Sequence, residues 1–243
     1  MAMEIASLQT GPLEVNTYIV PLAGQAVLIV DPAACVFSGD EKSIVNYLDE
    51  RDLLPVGVLL THGHFDHVCG LKELRKSFAQ IPIAIHKGDA ECLGPNSARA
   101  HEANLGDLGF DENDLLESLT DLPNAEFFLE EGDTLDKFFS AEYIIAAFTG
   151  DRPPDVEAAL NALSHWKVLH TPGHSQGSIC FYNSNDGLLL SGDTIFYQAY
   201  GRTDLRGGSE AQIKKSLVRI FEELPNETQV FPGHGIFGFA LKE

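Results

Sequence analysis

Thr61-His62-Gly63-His64-Phe65-Asp66-His67 puts four nitrogen- or oxygen-donor side chains into six consecutive positions, directly after the apolar run Val56-Gly57-Val58-Leu59-Leu60. The apolar run reads as a buried strand, and Leu71, Leu74, Arg75 and Phe78 fit a helix beginning near Val68. A strand, a donor-rich loop and a helix in that order is how α/β folds present a site at the carboxyl ends of their strands. His62 and His64 alternate along an extended segment, so their rings project to one side. Asp66 shares that parity, and His67 turns away as the helix begins.

Three further segments supply the same donor types: Thr171-Pro172-Gly173-His174, Ser191-Gly192-Asp193 and Phe231-Pro232-Gly233-His234-Gly235. Imidazole nitrogen and carboxylate oxygen suit zinc, iron or manganese alike, and no sulfur donor is required. Two such ions, roughly 3.5–4 Å apart, hold a hydroxide between them near neutral pH. Five of the nine histidines fall in these segments, which argues against incidental placement. Cofactor expectation is therefore two divalent ions, zinc foremost, with iron or manganese as alternatives.

The order, spacing and flanks of these motifs resemble the metallo-β-lactamase superfamily, and within it the glyoxalase II-like (hydroxyacylglutathione hydrolase-like) thioesterases. The resemblance runs from about Leu8 to Gly235. It implies an α/β class fold, the αβ/βα four-layer sandwich of two face-to-face sheets with helices outside and metals at one edge. It also implies one metal held by His62, His64 and His174, a second held by Asp66, His67 and His234, and Asp193 bridging them. Asp66 carries a catalytic role as well, orienting the hydroxide that attacks an acyl carbon. No dedicated general acid is evident, which favours a leaving group that departs unprotonated. A thiol with pKa about 8.5 does so. The expected activity is thus thioester hydrolysis, with hydroxyacyl-glutathione or a similar small thioester as partner. The alternatives are a persulfide dioxygenase-like mononuclear iron oxidoreductase, and a metallo-hydrolase acting on another ester or a lactone.

Gly201-Arg202-Thr203-Asp204 resembles a motif shared by single-domain glyoxalase II-like proteins and persulfide dioxygenases. Arg202 and Asp204 either brace the site from behind, or meet a substrate carboxylate through Arg202, or form a structural turn with a surface ion pair. Tyr197 and Tyr200 either donate to a substrate oxygen or pack. Only nine residues follow His234, so the C-terminal helical glutathione pocket of two-domain members is not expected.

Working outward, Met3 to Leu8, Asn16 to Pro21 and Ala26 to Asp31 read as strands, the last almost wholly apolar. Glu41 to Asp52 reads as a helix. Ile83 to Ile85, Val168 to His170, Ile179 to Tyr182, Leu188 to Leu190 and Gln229 to Phe231 read as further strands, with a hairpin turn at 183–187. Ile213, Leu217, Ile220, Phe221 and Leu224 mark a last amphipathic helix. Asn104 to Glu131 shows no clear register. In Ser140 to Ser164, Asp151-Arg152-Pro153-Pro154-Asp155 separates a strand-like apolar run from a helix. No linker divides the chain, so one domain over 1–243 is expected, with a variable acidic part around 100–165.

Hydrophobic residues make up 44% of the 243 and charged residues 21%, with net charge −20. That charge opposes nucleic acid as partner. No apolar run suits a bilayer, and Met1-Ala2-Met3-Glu4 lacks a signal-peptide start, so cytoplasmic residence is expected. Between Ala100 and Asp136 stand 12 acidic residues and no Lys or Arg, read as a solvated surface or an acidic cover. Cys35, Cys69, Cys92 and Cys180 read as free thiols. His86 and His170 are expected to pack at strand ends, and His101 and His165 to be solvated. The apolar tail from Ile236 to Leu241 suits a pocket wall or a dimer contact, and oligomeric state is left open.

Overall fold

Apolar strands fall into two sheets in the computed structural model, which describes residues 4–105, 112–148 and 154–242. The first sheet runs in chain order through β1 (Ala6–Thr10), β2 (Val15–Ala23), β3 (Ala26–Val30), β4 (Leu54–Leu59), β5 (Ile83–His86) and β6 (Phe127–Leu129). The second holds β7 (Trp166–His170), β8 (Ile179–Asn183), β9 (Leu188–Gly192), β12 (Gln229–Pro232) and β13 (Phe239–Ala240), in the order β13-β12-β9-β8-β7. A small ribbon pairs β10 (Ile195–Phe196) with β11 (Ala199–Tyr200).

The continuous apolarity of β3 follows from burial on both faces. Val27 and Ile29 point to one core, shared with Ile44 and Leu48 of α1 (Ser43–Asp49) and Leu71 and Leu74 of α3 (Leu71–Ser77). Ala26, Leu28 and Val30 point to another, where they meet Val168, Phe181 and Leu190 of the second sheet. Leu169, Cys180 and Leu189 face the opposite way, onto Ile220 of α8 (Glu210–Glu223). Helices, sheet, sheet and helix therefore stack with three apolar seams between them. This is the four-layer αβ/βα sandwich that the resemblance implies. The remaining helices are α2 (Phe65–Val68), α4 (Ser97–Leu105), α5 (Glu112–Leu119), α6 (Ala141–Ala146) and α7 (Val156–Ser164). Among the described residues no helix is long and apolar enough to cross a membrane.

Two local expectations need correction. The apolar run at 141–146 is helix α6, not strand; it packs Ile144 into the inter-sheet core. The Asp151-to-Pro153 part of the expected break lies outside the described residues. The helix expected near Val68 starts earlier and is interrupted. Phe65–Val68 forms one short turn of helix, and the chain resumes helix at Leu71. Gly70 explains the step, because a Cβ there would stand 2.6 Å from the Pro32 carbonyl oxygen.

Parallel pairings decide where the donor loops end up. β3 pairs with β4, and Asp31 N donates to the Leu59 carbonyl at 3.0 Å. β12 pairs with β9, with Pro232 opposite Gly192. The carboxyl ends of all four strands thus emerge at one edge. The sheets close around Phe139, fully buried; a Cβ on Gly57 of β4 would stand 2.1 Å from its Cε1. Gly57→Ala is therefore expected to cost about 1–3 kcal/mol through overpacking. Thermal denaturation checks this, and an unchanged midpoint would mean that Phe139 moves aside without penalty.

Candidate metal centre

Each donor sits where a strand runs out. Beyond β4, Thr61 is fixed by Asp31, whose Oδ1 accepts from Thr61 N at 2.8 Å and whose Oδ2 accepts from Thr61 Oγ1 at 2.6 Å. The extended His62-Gly63-His64 segment follows. Gly63 N donates to Asp89 Oδ2 at 2.8 Å, and Asp89 also receives Ser175 Oγ and Gly177 N, tying the His62–His64 loop to the His174 loop. Asp66 and His67 belong to α2, so the parity argument for Asp66 does not apply: helix, not strand, aims this second pair. Asp193 follows β9, and His234 follows β12. Gly233 gives them room, since a Cβ there would lie 2.3 Å from Asp193 Oδ1 and 2.7 Å from His67 Cε1.

The structure brings all seven expected donors together. His64 Nδ1 and His174 Nε2 are 2.8 Å apart, and His62 stands edge-on to both rings, with centroids at 4.7 and 4.8 Å. His67 Nε2 and His234 Nε2 are 3.3 Å apart, and Asp66 Oδ2 lies 3.6 Å from the first and 3.2 Å from the second. Asp193 stands between the triads: Oδ1 is 3.4 Å from His67 Nε2, and Oδ2 is 3.4 Å from His174 Nε2 and 3.6 Å from His234 Nε2.

What fixes the chemistry is the other nitrogen of four of the five rings; His64 instead turns Nδ1 toward His174. His67 Nδ1 donates to Asp31 Oδ2 at 3.0 Å, His174 Nδ1 to the Arg202 carbonyl at 2.8 Å and His234 Nδ1 to the Leu13 carbonyl at 3.1 Å. Thr61 Oγ1, having given its proton to Asp31, accepts from His62 Nδ1 at 3.0 Å. These partners place a proton on Nδ1 of four rings and turn Nε2 of each inward. His62 Nε2 and Asp193 Oδ1 are buried without any hydrogen-bond partner. Buried lone pairs aimed at one another, two of them orphaned, fit cations between them.

His62-His64-His174 and Asp66-His67-His234 each place donor atoms within 4.8 Å of one another, as does Asp31-His62-His67. In the last group the Asp31 oxygens already accept three hydrogen bonds, so Asp31 orients rather than coordinates. Burial drives the His62 pKa well down and, with the His174 charge, drops His64 to about 3. His67 goes the other way: burial opposes its charge, but Asp66, Asp193 and Asp31 outweigh burial and hold it well above its ordinary value. His234 is raised likewise, burial being overcome by Asp66 and Asp193. Burial opposes ionisation of Asp66 and Asp193, yet His67 and its neighbours keep both below the usual carboxylate range.

Arg202, Asp204, Tyr197 and Tyr200 fare differently. Arg202 and Asp204 form a two-pronged pair at 2.7 and 2.8 Å on the surface, and what reaches the centre is the Arg202 backbone carbonyl. Tyr197 is exposed and packs edge-on against Phe239 at 5.4 Å. Tyr200 donates to Glu210 at 3.0 Å. His86 and His170 stack on each other at 4.1 Å, a packing role as expected. His101 is not solvated: it is 1% exposed, with Nε2 donating to the Cys92 carbonyl at 3.0 Å. Asp31, Thr61 and Asp89 were missed by motif reasoning. Asp31 had one signal, a carboxylate closing a fully apolar strand; Asp89 had none.

A family model described as "Metallo-beta-lactamase superfamily" matches residues 10–234. The chain belongs to the metallo-β-lactamase superfamily. As a superfamily member it is 30% identical over 233 residues to "Probable metallo-hydrolase YqgX" of Bacillus subtilis (strain 168), covering 96% of this chain and 90% of that protein. It is 28% identical over 221 residues to the "Hydroxyacylglutathione hydrolase" of Pectobacterium atrosepticum, covering 90% of this chain and 62% of that enzyme. Among solved structures, the BLEG-1 B3 metallo-beta-lactamase superposes with a TM-score of 0.72 at 27% identity, covering 98% of this chain and 94% of the other. TTHA1623 in a di-iron-bound form gives 0.67 at 27% identity, covering 98% and 95%. Superfamily membership and the donor clusters together imply divalent metal binding and metallo-hydrolase kinship.

For metal-stripped protein the shifts set a pH profile. His67 and His234, raised in the fold, add stability that is complete below about pH 6.5 and is lost as pH climbs through their folded values. His62 and His64, depressed, add stability that is complete above about pH 6.5 and is lost on acidification toward their folded values. Asp66 and Asp193, also depressed, deepen the acid loss. Urea unfolding across pH is expected to show a maximum near pH 6.5. Stability still rising steadily toward pH 9 would contradict the raised values.

Proposed function

We propose that this chain is a binuclear metal-dependent thioesterase. The observation that carries the reading is the pair of donor triads on either side of Asp193, with Nε2 of four rings and Nδ1 of His64 turned inward. His62, His64 and His174 would hold one ion; Asp66, His67 and His234 the other; Asp193 would touch both. Divalent ions bound there supply an activated water near neutral pH and draw charge off an acyl oxygen. Nitrogen and oxygen donors suit zinc, and equally iron or manganese; the di-iron form of TTHA1623 favours keeping iron in the panel.

The chain's own residues do the positioning. Asp31, the Arg202 carbonyl and the Leu13 carbonyl lock the ring orientations, so little reorganisation accompanies ion binding. Asp66 Oδ2, facing His234 Nε2, is the carboxylate placed to accept a proton from the attacking water. Nδ1 of four rings is engaged by Asp31, Thr61 and the Arg202 and Leu13 carbonyls, none of them an acid placed to protonate a leaving group. A thiolate needs no such donor, an amine does. Kinship with the hydroxyacylglutathione hydrolase points the same way, toward a small acyl-glutathione or similar thioester.

Zinc-, iron- and manganese-loaded protein offered a panel of small thioesters is expected to release thiol, with two ions per chain by metal analysis. Hydrolysis of a lactone or β-lactam without thiol release would overturn the thioesterase reading. One iron per chain with oxygen uptake on glutathione persulfide would replace it with a dioxygenase. Asp31→Asn keeps the volume but loses an acceptor for Thr61 or His67. It is expected to weaken metal retention about 10–100-fold, read by competition with a chelator. Wild-type affinity in that variant would show that Asp31 does not orient His67.

A further inference from the structure

Behind the Asp66–His67 turn, away from the inward-facing nitrogens, two thiols meet. Cys69 is the residue at which α2 ends, and Cys35 lies in the strap that follows Asp31. The two backbones are pressed together: Gly70 N donates to the Pro32 carbonyl at 3.0 Å, and a Cβ on Gly70 would stand 2.8 Å from the Ala34 oxygen. Cys69 Sγ donates to the Ala33 carbonyl at 3.0 Å and lies 3.5 Å from the Asp66 carbonyl. Cys35 Sγ lies 3.3 Å from Ser38 Oγ, and the two cysteines face the same cavity.

Both cysteines are buried, yet both line one cavity of about 390 Å³ with Phe37, Lys72, Glu73 and Lys76. Lys76, its side chain 65% exposed, marks where that cavity reaches the surface. Water occupies about 30 Å³, so a small hydroperoxide has space to enter. Hydrogen bonds from Cys69 and Ser38 hold the Cys35 thiol down at about 6, against its burial and the nearby Asp40 carboxylate. Cys35 is the more acidic thiol of the pair, while burial and Cys35 push the Cys69 thiol up. Burial pushes Cys92 far above the thiol range and Cys180 up to about 11.

We propose that Cys35 and Cys69 are an oxidisable dithiol which a hydroperoxide converts to an intramolecular disulfide, displacing the Asp66–His67 turn. The Cys35 sulfur attacks the terminal peroxide oxygen; the O–O bond breaks, the alcohol (water, for hydrogen peroxide) leaves, and Cys35 becomes a sulfenic acid. The Cys69 sulfur then attacks that sulfur, the S–O bond breaks, and water leaves with the Cys69 proton. Two thiols lose two hydrogens and two electrons, and the hydroperoxide takes up both. Forming the bond removes the Cys69 S–H from the Ala33 and Asp66 carbonyls and draws the chain toward Cys35, two residues beyond His67.

The full chain, reduced and zinc-loaded, is treated with hydrogen peroxide, alkylated under denaturing conditions and mapped by peptide mass spectrometry. The expected product joins the Cys35 and Cys69 peptides, two hydrogens lighter. It should form at least about tenfold faster than any oxidation of Cys92 or Cys180, and a dithiol reductant should reverse it. In Cys69→Ser, dimedone is expected to trap Cys35 as the sulfenic acid. Cys35 running to sulfinic acid while Cys69 stays reduced in the wild type, or Cys92 reacting first, would overturn the dithiol. Displacement of the turn rests on the ligand assignment proposed above, and a chromogenic chelator is expected to register zinc leaving as the cross-link forms. Cross-linking with all zinc retained overturns that displacement. A chain that takes up no zinc overturns the ligand assignment, while the mass map still decides the dithiol.

Discussion

Asp31 Oδ2 accepts from Thr61 Oγ1 at 2.6 Å and from His67 Nδ1 at 3.0 Å, and the rest of the centre is built on that one oxygen. Through Thr61 it sets the tautomer of His62, and directly it sets that of His67. A single buried carboxylate thus orients Nδ1–H of both rings, directly or through Thr61, and leaves Nε2 of each facing the centre. Asp31 occupies the left-handed region, at φ 49°, a backbone conformation costing an L-residue roughly 1–2 kcal/mol. Three hydrogen bonds to its carboxylate offset that cost, and they form only if the chain turns this way after β3.

Fixing tautomers from behind leaves an electrostatic problem in front. Facing pairs of nitrogen lone pairs at 2.8 and 3.3 Å repel unless a proton or a cation lies between them. Without metal, the carboxylates of Asp66, Asp193 and Asp31 answer this on one side by keeping His67 and His234 protonatable. On the other side burial keeps His62 and His64 neutral. The two halves are thus unequal before any ion arrives. An ion entering the carboxylate-rich half must displace protons; one entering the other half meets His62 and His64 already neutral near neutral pH.

Much of this was legible in the sequence, for identifiable reasons. Donors packed into six positions after an apolar strand, and single donors beside glycines elsewhere, survive as pattern because backbone space is needed at each: Gly233 against Asp193 and His67 is an instance. The strands of the sandwich were legible because burial on both faces forces continuous apolarity. Partners acting from a distance in sequence were not legible. Asp89 binds loops 26 and 88 residues away, and no local periodicity encodes such a contact. The Arg202 side chain drew attention by its motif, whereas its contribution is a backbone carbonyl, which every residue possesses. His101 looked solvated because α4 has no regular apolar register, yet its ring fills the space beneath the Cys92 carbonyl.

The acidity of the chain belongs to a different physical level from the centre. In the acidic stretch, Glu126 meets Arg75, Glu130 meets Lys87, Glu131 meets Arg219 and Asp133 meets Lys137, all at least partly exposed. Such pairs are worth about 0–1 kcal/mol each, and their fields fade over roughly 8–10 Å at ordinary salt. The carboxylates of Asp31, Asp66 and Asp193 are 10% exposed or less. In low dielectric their mutual repulsion is not screened away, and imidazolium charge on His67 and His234 balances only part of it. Divalent cations held there would offset the remainder. The demand for metal therefore arises from buried carboxylates a few ångströms apart, and the net charge of −20 is incidental to it.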